Sequence, residues 1–119
     1  MNHIELGVAG ENLAEHHLVA KGYEIVARNY RWKHAEIDII CRKNNQLVVV
    51  EVKTRNSNAL GKPYEAVSIA KQRQVIRVAN EYVNQYEIDD DVRFDIVSIV
   101  LNQNRMEVEH IEDAFYPLV

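Results

Sequence analysis

Two short segments carry the residue types best suited to chemistry in this chain: Glu36-Ile37-Asp38 and Glu51-Val52-Lys53. Between them runs Ile39-Ile40-Cys41-Arg42-Lys43-Asn44-Asn45-Gln46-Leu47-Val48-Val49-Val50, apolar on both sides of an Asn-Asn pair. That pattern predicts two β-strands joined by a hairpin. A two-residue loop at Asn44-Asn45 pairs Lys43 with Gln46, and the register follows. Cys41 falls opposite Val48, Ile39 opposite Val50 and Ile37 opposite Val52, which makes one face apolar. On the other face Ile40 falls opposite Val49, Asp38 opposite Glu51 and Glu36 opposite Lys53. Like charges directly opposite on a sheet are unfavourable by roughly 0.2–1 kcal/mol, so the Asp38–Glu51 pair calls for a cation. A divalent metal with oxygen ligands is one solution. A solvated strand face, with Lys53 paired to Glu36, is the other.

The elements that must position these residues are legible along the chain. Ile4, Val8, Glu11, Ala14 and Leu18 recur at helical spacing and predict a helix from about Glu5 to Lys21, with Gly22 as its stop. Tyr23 to about Trp32 reads as a first strand, and the hairpin supplies two more. Thr54 to Pro63 is a loop rich in Ser, Asn, Gly and Pro. Tyr64 to about Tyr86 reads as the longest helix, with Val67, Val75, Ala79, Tyr82, Val83 and Tyr86 along one side. The Asp89-Asp90-Asp91 run reads as a solvated turn, Val92 to Leu101 as an apolar strand, and Arg105 to Ile111 as a short edge strand. The order αβββαββ predicts a mixed central sheet flanked by helices, in the α/β class. The 119 residues read as a single domain, 1–119.

Composition narrows the function classes. No apolar run approaches the length of a membrane span, and the N-terminal segment is polar and lacks the basic start of a signal peptide. The single cysteine, Cys41, lies on the apolar face of the hairpin, so neither a disulfide nor a Cys-rich zinc site is expected. These features suit the cytoplasm. The net charge is −4, but residues 21–82 hold twelve Lys or Arg against six Asp or Glu. That basic middle contains the proposed site, and its field would suit a phosphate backbone.

Two more charged residues fall among apolar positions. Glu11 shares a helix face with Val8, Ala14 and Leu18, where a carboxylate is costly unless paired or metal-bound. Lys71 lies in line with Val67, Val75 and Ala79, and either approaches the site or snorkels off the stripe; snorkelling is the more ordinary behaviour.

Taken as an ordered set, Gly10-Glu11 with Ala14, Gly22-Tyr23, Arg28-Asn29, Glu36-Ile37-Asp38, Val50-Glu51-Val52-Lys53-Thr54-Arg55, Lys71 and Arg93-Phe94-Asp95 resemble the YraN family. These are small bacterial proteins regarded as candidate endonucleases and similar to archaeal Holliday junction resolvases. The resemblance spans about Gly7 to Ile99. It implies a restriction-endonuclease-like fold with a PD-(D/E)xK nuclease core, in which the motif Asp is Asp38, the acidic residue of E-x-K is Glu51, the lysine is Lys53 and the helix carboxylate is Glu11. Ile37 stands where the name-giving proline would be. Ala35 stands where a glycine usually precedes Glu36.

On this resemblance Asp38 and Glu51 would hold Mg²⁺ or Mn²⁺, helped by the backbone carbonyl of Val52 and by waters, with Glu11 completing the site directly or through water. Lys53 would act on the attacking water and on charge at the reacting phosphate. Glu36 would support Lys53. Arg55, Lys62, Lys71 and Arg73 would contact the DNA backbone, and the Thr54–Pro63 loop would drape over it. Resolvases of this type work as homodimers. Arg93 and Asp95 match a family motif but read best as a structural pair. Tyr30 and Trp32 could stack bases, although aromatics near a strand end more often belong to the core or its rim. His16 and His17 are adjacent and cannot form an i, i+4 zinc pair. Two function classes follow: a metal-dependent DNA endonuclease, or a nucleic-acid-binding or partner-binding module that keeps the nuclease fold with little activity.

Overall fold

The structure is a computed structural model that describes residues 1–57 and 67–117. Its elements are α1 (His3–Ala20), β1 (Glu24–Trp32), β2 (Ala35–Lys43), β3 (Gln46–Arg55), α2 (Ile69–Gln85), β4 (Asp91–Leu101) and β5 (Met106–Phe115). The αβββαββ order is therefore as the sequence predicts. The five strands form one mixed sheet in the order β1-β2-β3-β4-β5. Pairing is antiparallel except between β3 and β4, which the α2 crossover brings side by side in parallel. Residues of the predicted Thr54–Pro63 loop beyond Ser57, including Lys62, and the predicted helix start at Tyr64 lie outside the described residues.

The helices cover opposite faces. Ala14 and Leu18 of α1 pack with Tyr23, Ile39, Cys41, Val48, Val50, Val97 and Ile99. Val75, Val78, Ala79 and Tyr82 of α2 pack with Ile40, Leu47, Val49, Phe94 and Ile96 on the other side. A strand buried on both faces needs no alternation, which is why Leu47 to Val50 is a continuous apolar run. The hairpin face with Ile40 and Val49 is accordingly a second core, with Asp38, Glu51 and Lys53 at its far end.

Local chemistry explains the boundaries. Asn44 and Asn45 both adopt positive φ (52° and 61°), as a tight type I′ hairpin requires. Asn2 caps α1 reciprocally with Glu5: its side chain accepts the Glu5 N–H at 2.8 Å and its own N–H reaches Glu5 Oε1 at 3.2 Å. Gly22, at φ 91°, ends α1 while the Tyr23 N–H returns to the Leu18 carbonyl at 3.0 Å. Ser68 caps α2 by accepting the Lys71 N–H at 3.1 Å.

Two helix faces differ from expectation. Ile4 and Val8 of α1 are 78% and 53% exposed, and the buried stripe is Gly10, Ala14 and Leu18 instead. Gly10 sets this rotation, because a β-carbon there would lie 1.7 Å from Thr54 Oγ1. α1 therefore sits directly on β3, closer than any residue with a side chain would allow. In α2, Val78 joins the buried stripe and Tyr86 is exposed. The edge strand β5 is longer than predicted, reaching Phe115, which stacks on Phe94 with ring centroids 5.3 Å apart.

Candidate active site

The β2–β3 ladder follows the predicted register from Lys43–Gln46 through Cys41–Val48 to Ile39–Val50, and there it stops. The expected pairings Ile37–Val52, Asp38–Glu51 and Glu36–Lys53 do not form. The cause lies one strand away. Arg28 pairs with Ile39 and Tyr30 with Ile37, so Asn29 lies opposite Asp38. Asn29 is in the left-handed region at φ 52°, which asparagine tolerates better than most residues. At this irregularity β2 turns over: Ile37 packs on the α2 side of the sheet and Ile39 on the α1 side. The two strands part, and Asp38 closes the gap with its side chain. Its Oδ2 accepts the Val52 N–H at 2.8 Å, in place of a ladder bond.

The fork opens into a cavity of about 270 Å³ lined by Asp38, Glu51, Val52, Lys53, Val67 and Lys71. The two carboxylates thus share one cavity, as expected, although they reach it through a break in the ladder. Glu51 is 4% exposed, and its Oε1 has no hydrogen-bond partner among the described residues. Its other oxygen is 3.9 Å from Lys71 Nζ. Lys71 therefore approaches the site instead of snorkelling away from it. Burial pushes the Glu51 carboxyl up to about 8, helped by the charge of Asp38 and opposed by Lys71. Burial likewise raises the Asp38 carboxyl, against the stabilising Val52 N–H; the charges of Glu11 and Glu36 add to the rise. Two carboxylates that each resist ionisation, one with an unpartnered oxygen, are a donor set that a cation would complete. Asp38, Glu51 and the Val52 carbonyl are the groups that would hold it. All are hard oxygen donors, suited to Mg²⁺ or Mn²⁺.

The remaining predicted residues fall as follows. Glu11 is half-buried beside the fork, but its Oε1 lies 3.5 Å from the Arg28 guanidinium. Arg28 also reaches Asn12 Oδ1 at 2.9 Å and Glu15 at 3.7 Å. No three His, Cys, Asp or Glu side chains converge on one point among the described residues. Glu36 is half-buried and pairs along the sheet with Arg31. It forms no ion pair with Lys53 among the described residues, because the strands have already separated. Lys53 is exposed at the cavity mouth, Arg55 is half-buried at the end of β3, and Arg73 is exposed on α2.

Arg93 and Asp95 form a separate centre on the α1 face. Asp95 is fully buried and accepts two bonds from Arg93 (2.9 and 2.8 Å), one from His110 Nε2 (2.6 Å) and one from the Asp113 N–H (2.9 Å). Burial alone would raise its carboxyl, but the bonds from His110, Arg93 and the Asp113 N–H outweigh that and hold it below the usual range. Arg93 also donates to the Tyr23 hydroxyl at 2.6 Å. The structural reading of this pair is the one the geometry supports. His110 was not singled out from the sequence. The available signal was an Asp inside an apolar strand, which demands partners from its neighbours. Cys41, pushed up to about 12 by burial, is an inert core thiol.

The profile of the uncharacterised protein family UPF0102 matches residues 10–99. A UPF0102 protein of Bacteroides thetaiotaomicron is 44% identical over 115 residues, covering 97% of this chain and 95% of its own. UPF0102 proteins of Flavobacterium johnsoniae and Christiangramia forsetii are 47% and 44% identical, each alignment covering 96% of both chains. With the family profile spanning the helix of Glu11, the Asp38 fork and all of β3, this chain belongs to the UPF0102 family, the YraN-like proteins.

Proposed function

We propose that this protein is a metal-dependent endonuclease that hydrolyses DNA phosphodiester bonds, acting in the cytoplasm on branched or damaged DNA. The observation that carries the reading is the fork. Buried Glu51 and half-buried Asp38 face one cavity, Glu51 with an oxygen that has no partner among the described residues, and two lysines line the same cavity. A pure binding module has no use for such a pair, whose burial works against folding. Mg²⁺ or Mn²⁺ bound there supplies Lewis-acid polarisation of the phosphoryl oxygen and a more acidic water. Lys53, at the mouth, orients the attacking water and offsets charge developing on the phosphate. Asp38 is held in place by the Val52 N–H. Lys71 offsets the Glu51 charge from the α2 side. Arg55, Lys62 and Arg73 hold the strand by its phosphates, and a homodimer would cut two strands symmetrically.

One observation favours the rival reading of a nucleic-acid-binding module with the nuclease fold: Glu11 is engaged by Arg28, which leaves two carboxylates at the cavity. Nuclease assays decide between them. Single-stranded, duplex, nicked and four-way-junction DNA would each be incubated with Mg²⁺ and with Mn²⁺. Cleavage by the wild type, lost in Asp38→Asn and Lys53→Ala, supports the enzyme. DNA binding without cleavage of any substrate supports the module.

A further inference from the structure

A second pocket, of about 190 Å³, opens beside the catalytic cavity on the same face of the sheet. It is lined by Trp32, Lys33, His34, Ala35, Gln74 and Arg77, among others. The two sites are close on both elements that line them. Ala35 is three residues before Asp38 on β2, about 10 Å along the strand. Gln74 is three residues after Lys71 on α2, about 4.5 Å along the helix axis. A nucleic-acid strand crosses that separation in roughly two or three nucleotides.

The lining combines an indole ring with unpaired cations. Trp32 is half-buried, its body packed on the α2 core, while exposed Lys33 sets its ammonium 4.6 Å from the ring centroid. The outward side of the ring is thus covered by the exposed Lys33 side chain, which a stacking base would displace. Neither Lys33 nor Arg77 has a carboxylate partner among the described residues, and no acidic residue is in the lining. The volume is about that of six waters, room for one nucleobase. A planar ring flanked by free cations is the chemistry that receives a stacked base with its phosphates.

We infer that this pocket takes one unpaired nucleotide of the substrate strand, its base on Trp32 and its phosphate on Lys33 and Arg77, a few nucleotides from the bond that is cut. The inference rests on the nuclease reading for its substrate and adds a selectivity. A base stacked in an intact duplex cannot reach the indole, so strands with an unpaired nucleotide near the cut are preferred.

Trp32 is the only tryptophan in the chain, so its emission reports on this pocket without any need for cleavage. The experiment titrates the metal-free protein with a short oligothymidylate, an abasic strand of the same length and a blunt duplex. Anisotropy of end-labelled strands runs in parallel. The expected result is saturable quenching by the oligothymidylate, little by the other two, and binding about tenfold weaker in Arg77→Ala. Quenching should persist in Asp38→Ala. If the strand binds by anisotropy but Trp32 emission does not change and Arg77→Ala binds normally, the pocket inference is overturned while the nuclease reading stands. Equal quenching by the abasic strand or the duplex overturns it too. Quenching as expected with no cleavage of any substrate retains the pocket and removes the nuclease. Absence of binding in both measurements overturns the pocket.

Discussion

Glu51→Gln is the perturbation that most directly tests the physical account of the fork. Glu51 is nearly inaccessible, has one oxygen without a partner among the described residues, and has its carboxyl raised by burial from an ordinary value near 4.5 to about 8. The unfolded chain ionises Glu51 near its ordinary value, whereas the folded chain holds the proton. Stability from this group is therefore fully present below pH 4.5 and is lost as pH rises towards 8. Across that window the loss is on the order of a few kcal/mol. Such a loss is a large part of the total stability of a domain, typically ~5–15 kcal/mol.

Glutamine keeps the shape of the side chain, carries no charge and can donate to Asp38. In metal-free buffer the wild-type melting temperature should fall by more than about 10 °C between pH 5 and pH 8, and that of Glu51→Gln should fall by clearly less. The sign of the metal effect follows from the same linkage. Cation binding needs the ionised pair, so Mn²⁺ should raise the wild-type melting temperature more at pH 8 than at pH 5.5 and should release protons when it binds near pH 6.5. Calorimetry in buffers of different ionisation enthalpy measures that release. Parallel pH profiles for wild type and variant would refute the reasoning, because they would mean that Glu51 titrates normally in the folded protein.

Lys53→Ala should keep the fold and the metal site yet slow single-turnover cleavage by about 10²–10³, as loss of one preorganised charge typically does; wild-type cutting by this variant would remove Lys53 from the chemistry. Arg73→Ala should weaken DNA binding evenly across sequences and lower the slope of log K against log salt by about 1, while the cutting rate at saturation stays nearly unchanged. Gly10→Ala should destabilise the fold by about 1–3 kcal/mol in urea melts, because the new methyl must displace Thr54 or lift α1 off β3. Asp95→Ala should also destabilise the fold, by about 1–3 kcal/mol, since the buried His110 Nε2 loses its partner while half-buried Arg93 keeps Glu112, Gln46 and the Tyr23 hydroxyl.

Much of this arrangement is legible in the chain because strong local signals agree with the global fold. The Asn44-Asn45 turn and the β-branched runs fix the hairpin register as far as Ile39–Val50. The continuous run Leu47 to Val50 already signals a strand covered on both faces. Beyond that point the left-handed Asn29 on a third strand turns β2 over at Asp38. Nothing in the two hairpin strands themselves encodes that turn. The rotation of α1 is not legible in the sequence because apolar periodicity favours Ile4 and Val8, whereas close backbone approach at Gly10 decides the face. The sequence pattern of Lys71 is that of a snorkelling residue, and only the packing of α2 on the sheet brings its ammonium to 3.9 Å from Glu51. Lys33 and Arg77 carry no periodic signal, and only the fold brings them to one pocket.

Among the described residues two carboxylates, Asp95 and Glu51, are buried within apolar strands, and they differ in how they are satisfied. Asp95 and Glu51 stand on neighbouring strands, Asp95 facing α1 and Glu51 facing α2. Every oxygen of Asp95 is occupied, by a guanidinium, an imidazole and a backbone amide, and its carboxyl is held low. It is a closed centre with nothing left to offer a ligand. Among the described residues Glu51 has one distant lysine, a repelling carboxylate and an unpartnered oxygen, and its carboxyl is pushed high. Had the fold required only a polar anchor at that position, an arrangement like that around Asp95 was within reach of the same sheet. An incompletely satisfied carboxylate persists where a ligand completes it, and a stability penalty concentrated at one cavity is the expected mark of a working site. The same reasoning covers Asp38. Its Oδ2 is committed to the Val52 N–H, so the side chain that repairs the backbone break is also the one that holds the second donor in position.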